Sequence, residues 1–96
     1  MKKPGSCINI NEIRNEIDRI DRSVLELLAS RQEYVEEIVK YKTDQDAVIA
    51  HDRQLEVYAN RRQWAAELGL CPDFIEQIFK YLVEHNIKKE LKLLKK

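Results

Sequence analysis

The stretch Ile10–Lys42, INEIRNEIDRIDRSVLELLASRQEYVEEIVKYK, decides the fold. Apolar residues recur in it at Ile10, Ile13, Ile17, Ile20, Val24 and Leu27, then at Tyr34, Ile38 and Tyr41, in alternating steps of three and four. That period puts them on one stripe of an α-helix. The step after Leu27 falls on Arg31, so a guanidinium interrupts an otherwise apolar seam. A helix over this stretch is about 50 Å long at 1.5 Å per residue, whereas a compact chain of this size is roughly 30–35 Å across. The seam overshoots what the rest of one chain covers. A second copy related by a two-fold axis is the simplest closed way to bury the remainder, so the expectation is an obligate homodimer. The alternative is a helix broken near Ala29 and Ser30 that folds back as a monomeric bundle.

Composition agrees with an all-helical chain. Two glycines and two prolines accompany 44% hydrophobic and 35% charged residues in 96 positions, the profile of a helical rather than a β-rich protein. The length is that of one domain, residues 1–96, with an irregular lead over 1–8 containing Pro4, Gly5 and Ser6. Seventeen basic and seventeen acidic side chains cancel, which leaves no global electrostatic attraction for nucleic acid or an anionic membrane. The basic tail of Lys88, Lys89, Lys92, Lys95 and Lys96 suits the negative end of its own helix. Cys7 and Cys71 are too few for a disulfide framework or a zinc site, and no stretch resembles a signal peptide or membrane span. The expected setting is the cytoplasm, with reduced thiols.

Local signals divide the chain into a long, a short and a long helix. Asn9 followed by Glu12 has the spacing of an N-terminal cap with its reciprocal glutamate, although Asn11 could also serve. The first helix is expected to end soon after Lys42, where Thr43, Asp44, Gln45 and Asp46 break the period. Ala47 to Ala50 reads as a loop, and the second helix starts near His51 or Asp52. Leu55, Tyr58, Ala59, Ala65 and Leu68 form its apolar side, and Gly69-Leu70 is its stop. Pro72 opens the third helix, whose seam is Phe74, Ile75, Ile78, Phe79, Leu82, Val83, Ile87, Leu91 and Leu94. Asn86 and Glu90 interrupt that seam one turn apart.

The chemistry available is narrow. No serine or cysteine neighbours a general base, His51 and His85 lack partners at ligand or triad spacing, and there is no glycine-rich phosphate loop. A reaction run here would need no nucleophile, metal or cofactor. What the sequence offers is cations on apolar faces. Arg31 and Lys42, eleven residues apart, lie about 20° apart around a helix and roughly 16 Å along it, close enough to grip two ends of a small anion. Arg14 lies about 25 Å before Arg31 on another face, and could reach only the pocket of a partner chain. Arg53 is a fourth candidate. Each also has a purely structural explanation: Arg14 as a solvated charge, Arg31 as a snorkelling rim residue, Lys42 as a helix-end lysine, Arg53 as a partner of Asp52 or Glu56, and Glu90 as a partner of a nearby lysine. The residues alone reach a helical dimer with an anion pocket.

Four spaced motifs add a resemblance. Ile13-Arg14-Asn15-Glu16-Ile17-Asp18-Arg19-Ile20-Asp21, Leu27-Leu28-Ala29-Ser30-Arg31, Lys40-Tyr41-Lys42 and Asp52-Arg53 resemble, in that order, the all-helical chorismate mutase family, from about Ile10 to Leu91. The lead from Pro4 to Cys7, the short connection between Lys42 and Arg53, and Arg62-Gln63-Trp64-Ala65 before Gly69-Leu70 are most similar to one branch, the isochorismate-pyruvate lyases of salicylate and siderophore synthesis.

The resemblance implies an intertwined homodimer of three-helix chains with two equivalent pockets, each completed by an arginine from the partner. By position, Arg14 is that arginine, Arg31 and Arg53 contact carboxylates, and Lys42 reaches a carboxylate and the ether oxygen. Glu90 stands where the family has a Gln or Glu that donates to the ether oxygen, which a glutamate does only when protonated. Burial favours that state, and Arg31 and Lys42 oppose it. Gln54 replaces a glutamate that mutases commonly use for the ring hydroxyl, and Asn86 adds a polar group near Glu90. The substrates implied are dicarboxylates and the reactions are pericyclic, with no cofactor or metal. Lys42, Glu90 and Arg31 would carry catalysis, by restricting the substrate's conformation and placing positive charge where the breaking C–O bond gathers electron density. The leading expectation is an isochorismate-pyruvate lyase with secondary chorismate mutase activity. The alternatives are a dedicated chorismate mutase and, in another class, a non-catalytic helical dimer or regulatory domain.

Overall fold

A computed structural model describes residues 3–95. Met1 and Lys2 of the lead, and Lys96 of the basic tail, lie outside the described residues. A 3₁₀ turn over Pro4–Ser6 precedes four helices: α1 (Ile10–Ile38), α2 (Gln45–Ile49), α3 (His51–Glu67) and α4 (Pro72–Leu94). There is no strand among the described residues, and no helix there is long and apolar enough to cross a membrane. The chain forms two compact units, one ending at Tyr34 and the other beginning at Val35.

In the first unit, α1 starts as its cap residues require. Asn9 Oδ1 accepts from the Glu12 backbone N–H at 2.9 Å, and Glu12 Oε2 accepts from the Ile8 N–H at 2.7 Å, one residue before the position a capping box would use. The helix runs unbroken through Ala29 and Ser30, which removes the folded-back alternative. No residue of α1 is buried, and Ile10, Ile13, Ile17, Ile20, Val24 and Leu27 are all exposed. Intrahelical pairs such as Arg22–Glu26, 3.2 Å apart, decorate the rest of its surface.

The second unit corrects two boundaries. The α-helix ends at Ile38 rather than after Lys42, and Val39–Tyr41 tighten into a 3₁₀ turn with Lys42 extended beyond it at φ −110° and ψ 129°. Helical spacing from Arg31 to Lys42 therefore does not apply. Ala47 to Ala50 is also not a loop. Asp44 Oδ1 accepts from the Ala47 N–H at 2.8 Å and starts the one-turn α2, whose Val48 is among the most buried residues described. Ala50 then joins α2 to α3 in a left-handed conformation, φ 44° and ψ 64°.

α3 and α4 pack on each other, with α2 and the 3₁₀ turn against α4. Among the described residues the buried apolar side chains are Val48, Val57 and Ala65. The face of α3 matches the sequence expectation at buried Ala65 and half-buried Tyr58 and differs from it elsewhere. Leu55 and Leu68 are 67% and 75% exposed, and Ala59 is exposed too. The inward stripe instead runs through Gln54, Val57, Arg61 and Ala65, spaced three or four apart. Arg61 earns that place by stacking its guanidinium on Trp64 and Phe79, 4.7 and 5.4 Å from the ring centres. Gly69, at φ 73°, ends α3 as predicted. Leu70 N–H donates to the Ala65 carbonyl at 2.8 Å and Gly69 N–H to that of Ala66 at 3.2 Å, the paired bonds of a Schellman stop. Arg62 clasps the turn by hydrogen bonding Asp73 at 2.8 Å, a contact that raises its own proton affinity further. Lys89 on α4 holds Glu36 at the end of α1 at 2.7 Å.

Candidate active site

The residues buried on α4 are Asn86 and Glu90, not any member of its long apolar seam. Phe74 and Ile78 are exposed, and the remaining seam residues are half-buried. Helical spacing stacks Asn86 and Glu90 one turn apart on the same face. Glu90 is 5% exposed and Asn86 8%, a level of burial that carboxylates and amides reach only with partners.

Lys42 supplies the partner of Glu90. The break of α1 at Ile38, the 3₁₀ turn and the extended backbone at Lys42 carry its side chain to α4, where Nζ donates to Glu90 Oε1 at 2.8 Å. The sequence places these two residues 48 apart, so the pair is a product of the fold. An ammonium has three donors, and Glu90 takes one. The remaining donor capacity sits beside a buried carboxyl, an arrangement suited to recognising an anion with an adjacent polar oxygen.

Gln54 lies half-buried in the first turn of α3. Its Nε2 donates to the Ile49 carbonyl at 2.7 Å, so one side-chain donor is already committed to the backbone of α2. Its neighbour Arg53 is exposed and pairs with Glu56 one turn on along α3. Arg14 and Arg31 stand on α1 in the first unit, Arg14 exposed and Arg31 half-buried. Of the seven candidates, then, Lys42 and Glu90 are in direct contact, with Asn86 stacked on Glu90's face. Missing from the sequence reading were the Ile49 carbonyl and the left-handed Ala50. The signal for them was Asp44, whose position before Gln45–Ile49 is that of a helix cap. No group of His, Cys, Asp and Glu among the described residues is arranged to hold a metal ion.

An all-helical chain in which a half-buried ammonium meets a buried carboxyl points to a class of helical protein that acts on its ligand by binding and electrostatics. Residues 13–91 match the chorismate mutase type II family, and the chain belongs to that family. It is 33% identical over 92 residues to the isochorismate pyruvate lyase of Pseudomonas aeruginosa, which covers 96% of this chain and 91% of that protein. To the chorismate mutase of Methanocaldococcus jannaschii it is 30% identical over 76 residues, 78% of this chain and 77% of that protein. The T-protein of Enterobacter agglomerans is 32% identical over 82 residues, 84% of this chain but 22% of that longer protein.

Proposed function

We propose that this chain is a single-domain isochorismate-pyruvate lyase of the cytoplasm, converting isochorismate to salicylate and pyruvate, with chorismate-to-prephenate rearrangement as a secondary activity. The observation that carries the pocket is the Lys42–Glu90 pair, in which a half-buried ammonium meets a buried carboxyl. Replacing a buried ion pair by apolar residues is often neutral or stabilising, so such a pair is poorly explained by stability alone. The match with the lyase from P. aeruginosa over nearly the full length of both chains favours the lyase reading. Gln54, where mutases resembling this chain commonly carry glutamate, favours it further. The match with the M. jannaschii chorismate mutase keeps a dedicated mutase as the second reading.

In this reading two chains associate through the exposed seam of α1, and each pocket takes Arg14 from the partner. Arg31 and Arg53 hold carboxylates of the substrate, which is confined to the folded conformation that its pericyclic reaction requires. Lys42 turns its ammonium to a carboxylate and the ether oxygen. Glu90 holds the Lys42 ammonium toward that ether oxygen, where electron density gathers as the C–O bond breaks. Asn86 completes the polar lining beside Glu90.

Following salicylate fluorescence after addition of isochorismate tests the proposal. Salicylate forming together with an equal amount of pyruvate, and lost in Lys42→Ala, supports it. Loss of chorismate without salicylate from isochorismate supports the mutase, and inactivity on both substrates supports a non-catalytic helical dimer.

A further inference from the structure

Ala50 holds a positive φ that, among the described non-glycine residues, no other shares. The left-handed conformation is disfavoured roughly tenfold for a residue carrying a Cβ, so it persists only where surrounding contacts enforce it. Here it forms the elbow at which α2 ends and α3 begins. α2 is too short to hold itself in place, since a single helical turn is unstable in isolation. Buried Val48 anchors its middle, and two backbone bonds flank the elbow: Ala50 N–H to the Asp46 carbonyl at 2.9 Å, and Gln54 N–H to the Ala50 carbonyl at 3.0 Å. The remaining bond comes from a side chain. Gln54 Nε2 donates to the Ile49 carbonyl, one of the terminal acceptors that a helix leaves without an internal donor.

We propose that Gln54 is a positioning residue whose amide, bonded to the Ile49 carbonyl, holds the left-handed elbow at Ala50 and thereby fixes the first turn of α3, which carries Arg53. The proposal rests on the functional reading above for what the pocket binds, but not for the elbow itself. An ionised glutamate has no donor for the Ile49 carbonyl and would set oxygen against oxygen there. The amide side chain is therefore matched to this backbone. Without the bond, Ala50 relaxes toward negative φ in a large share of molecules, and the first turn of α3 swings away from α2. Substrate then binds only the fraction with the elbow formed, which weakens apparent affinity by that fraction while leaving the bound state unchanged.

The test compares the full-length wild type with Gln54→Met, Ala50→Gly and the double variant. Methionine keeps the size and flexibility of glutamine and removes the donor. Glycine adopts the left-handed conformation without the Cβ clash. On the substrate that the wild type turns over, Gln54→Met raises KM about tenfold with kcat within about twofold, Ala50→Gly stays close to wild type, and the double variant recovers most of the lost KM. Amide hydrogen exchange over residues 48–55, corrected for intrinsic rates, quickens about tenfold in Gln54→Met and recovers in the double variant. A fall in kcat that Ala50→Gly does not restore overturns the proposal, because Gln54 then acts by touching substrate. Wild-type KM and wild-type exchange in Gln54→Met also overturn it. If the wild type turns over neither substrate, the functional reading fails, and the exchange result alone supports or overturns the elbow.

Discussion

Replacing Lys42 by methionine separates the structural from the catalytic role of the buried pair. Lys42 and Glu90 side chains retain 18% and 7% of their exposure and meet at 2.8 Å. Removing one partner of a buried pair leaves the other charge uncompensated, which costs about 3–5 kcal/mol. The residual exposure of Lys42 places this site at the lower end, about 3 kcal/mol. With a urea slope near 1.5 kcal/mol per molar, that loss moves the unfolding midpoint down by about 2 M. The double variant Lys42→Met/Glu90→Met removes both charges while keeping similar volumes, and should recover to within about 1 kcal/mol of wild type or exceed it. Activity should not follow. The single and the double variant should both lose a factor of about 100 or more in kcat/KM, because the charge placed against the breaking C–O bond is absent in each. The assay is urea unfolding at one fixed protein concentration, which holds the concentration term of association the same for every variant, with kinetics on the same preparations. A Lys42→Met midpoint equal to wild type, or activity recovered in the double variant, would refute the reasoning.

Three further outcomes follow from the same residues. Glu90→Ala leaves the Lys42 ammonium without its partner and should lower kcat/KM by about 100-fold or more, whereas Glu90→Gln keeps an oxygen that accepts from Lys42 and should lose less; equal losses in the two variants contradict this. Arg14→Ala and Lys42→Ala should each be inactive alone, yet unfolding and refolding them together should restore activity in about a quarter of the pockets, because random pairing makes half the dimers mixed and each mixed dimer holds one intact pocket. No recovery would place Arg14 in the pocket of its own chain. Gly69→Ala should lower stability by about 1–2 kcal/mol from the strain of a left-handed Cβ residue alone, since nothing lies within 4 Å of the added carbon; thermal unfolding measures it.

The fold was legible wherever a local rule was enough. Asn9 and Glu12 mark the start of α1, Gly69 the end of α3 and Pro72 the first turn of α4, because caps and stops act through bonds a few residues long. The end of α1 was not legible. Tyr41 continues the apolar period past Ile38, and the tightening that turns Lys42 toward Glu90 goes with a contact 48 residues away. α2 was missed because its single turn shows no period, and its only mark is the Asp44 cap. On α3 Ala65 and Tyr58 pointed to the inward side, but Leu55 and Leu68 did not. Its inward stripe includes Gln54 and Arg61, whose polar ends find partners that a hydropathy pattern does not register. Lys42, Asn86 and Glu90 were visible as polar residues on apolar faces, but the contact between Lys42 and Glu90 is tertiary.

The most direct test of the lyase activity is the ratio of two catalytic efficiencies in one preparation, kcat/KM for salicylate formation from isochorismate and kcat/KM for loss of chorismate. A lyase with this pocket forms salicylate at the larger efficiency, and Lys42→Ala removes both activities. A larger efficiency on chorismate, with little or no salicylate from isochorismate, would contradict the lyase reading and make this chain a mutase with glutamine at position 54.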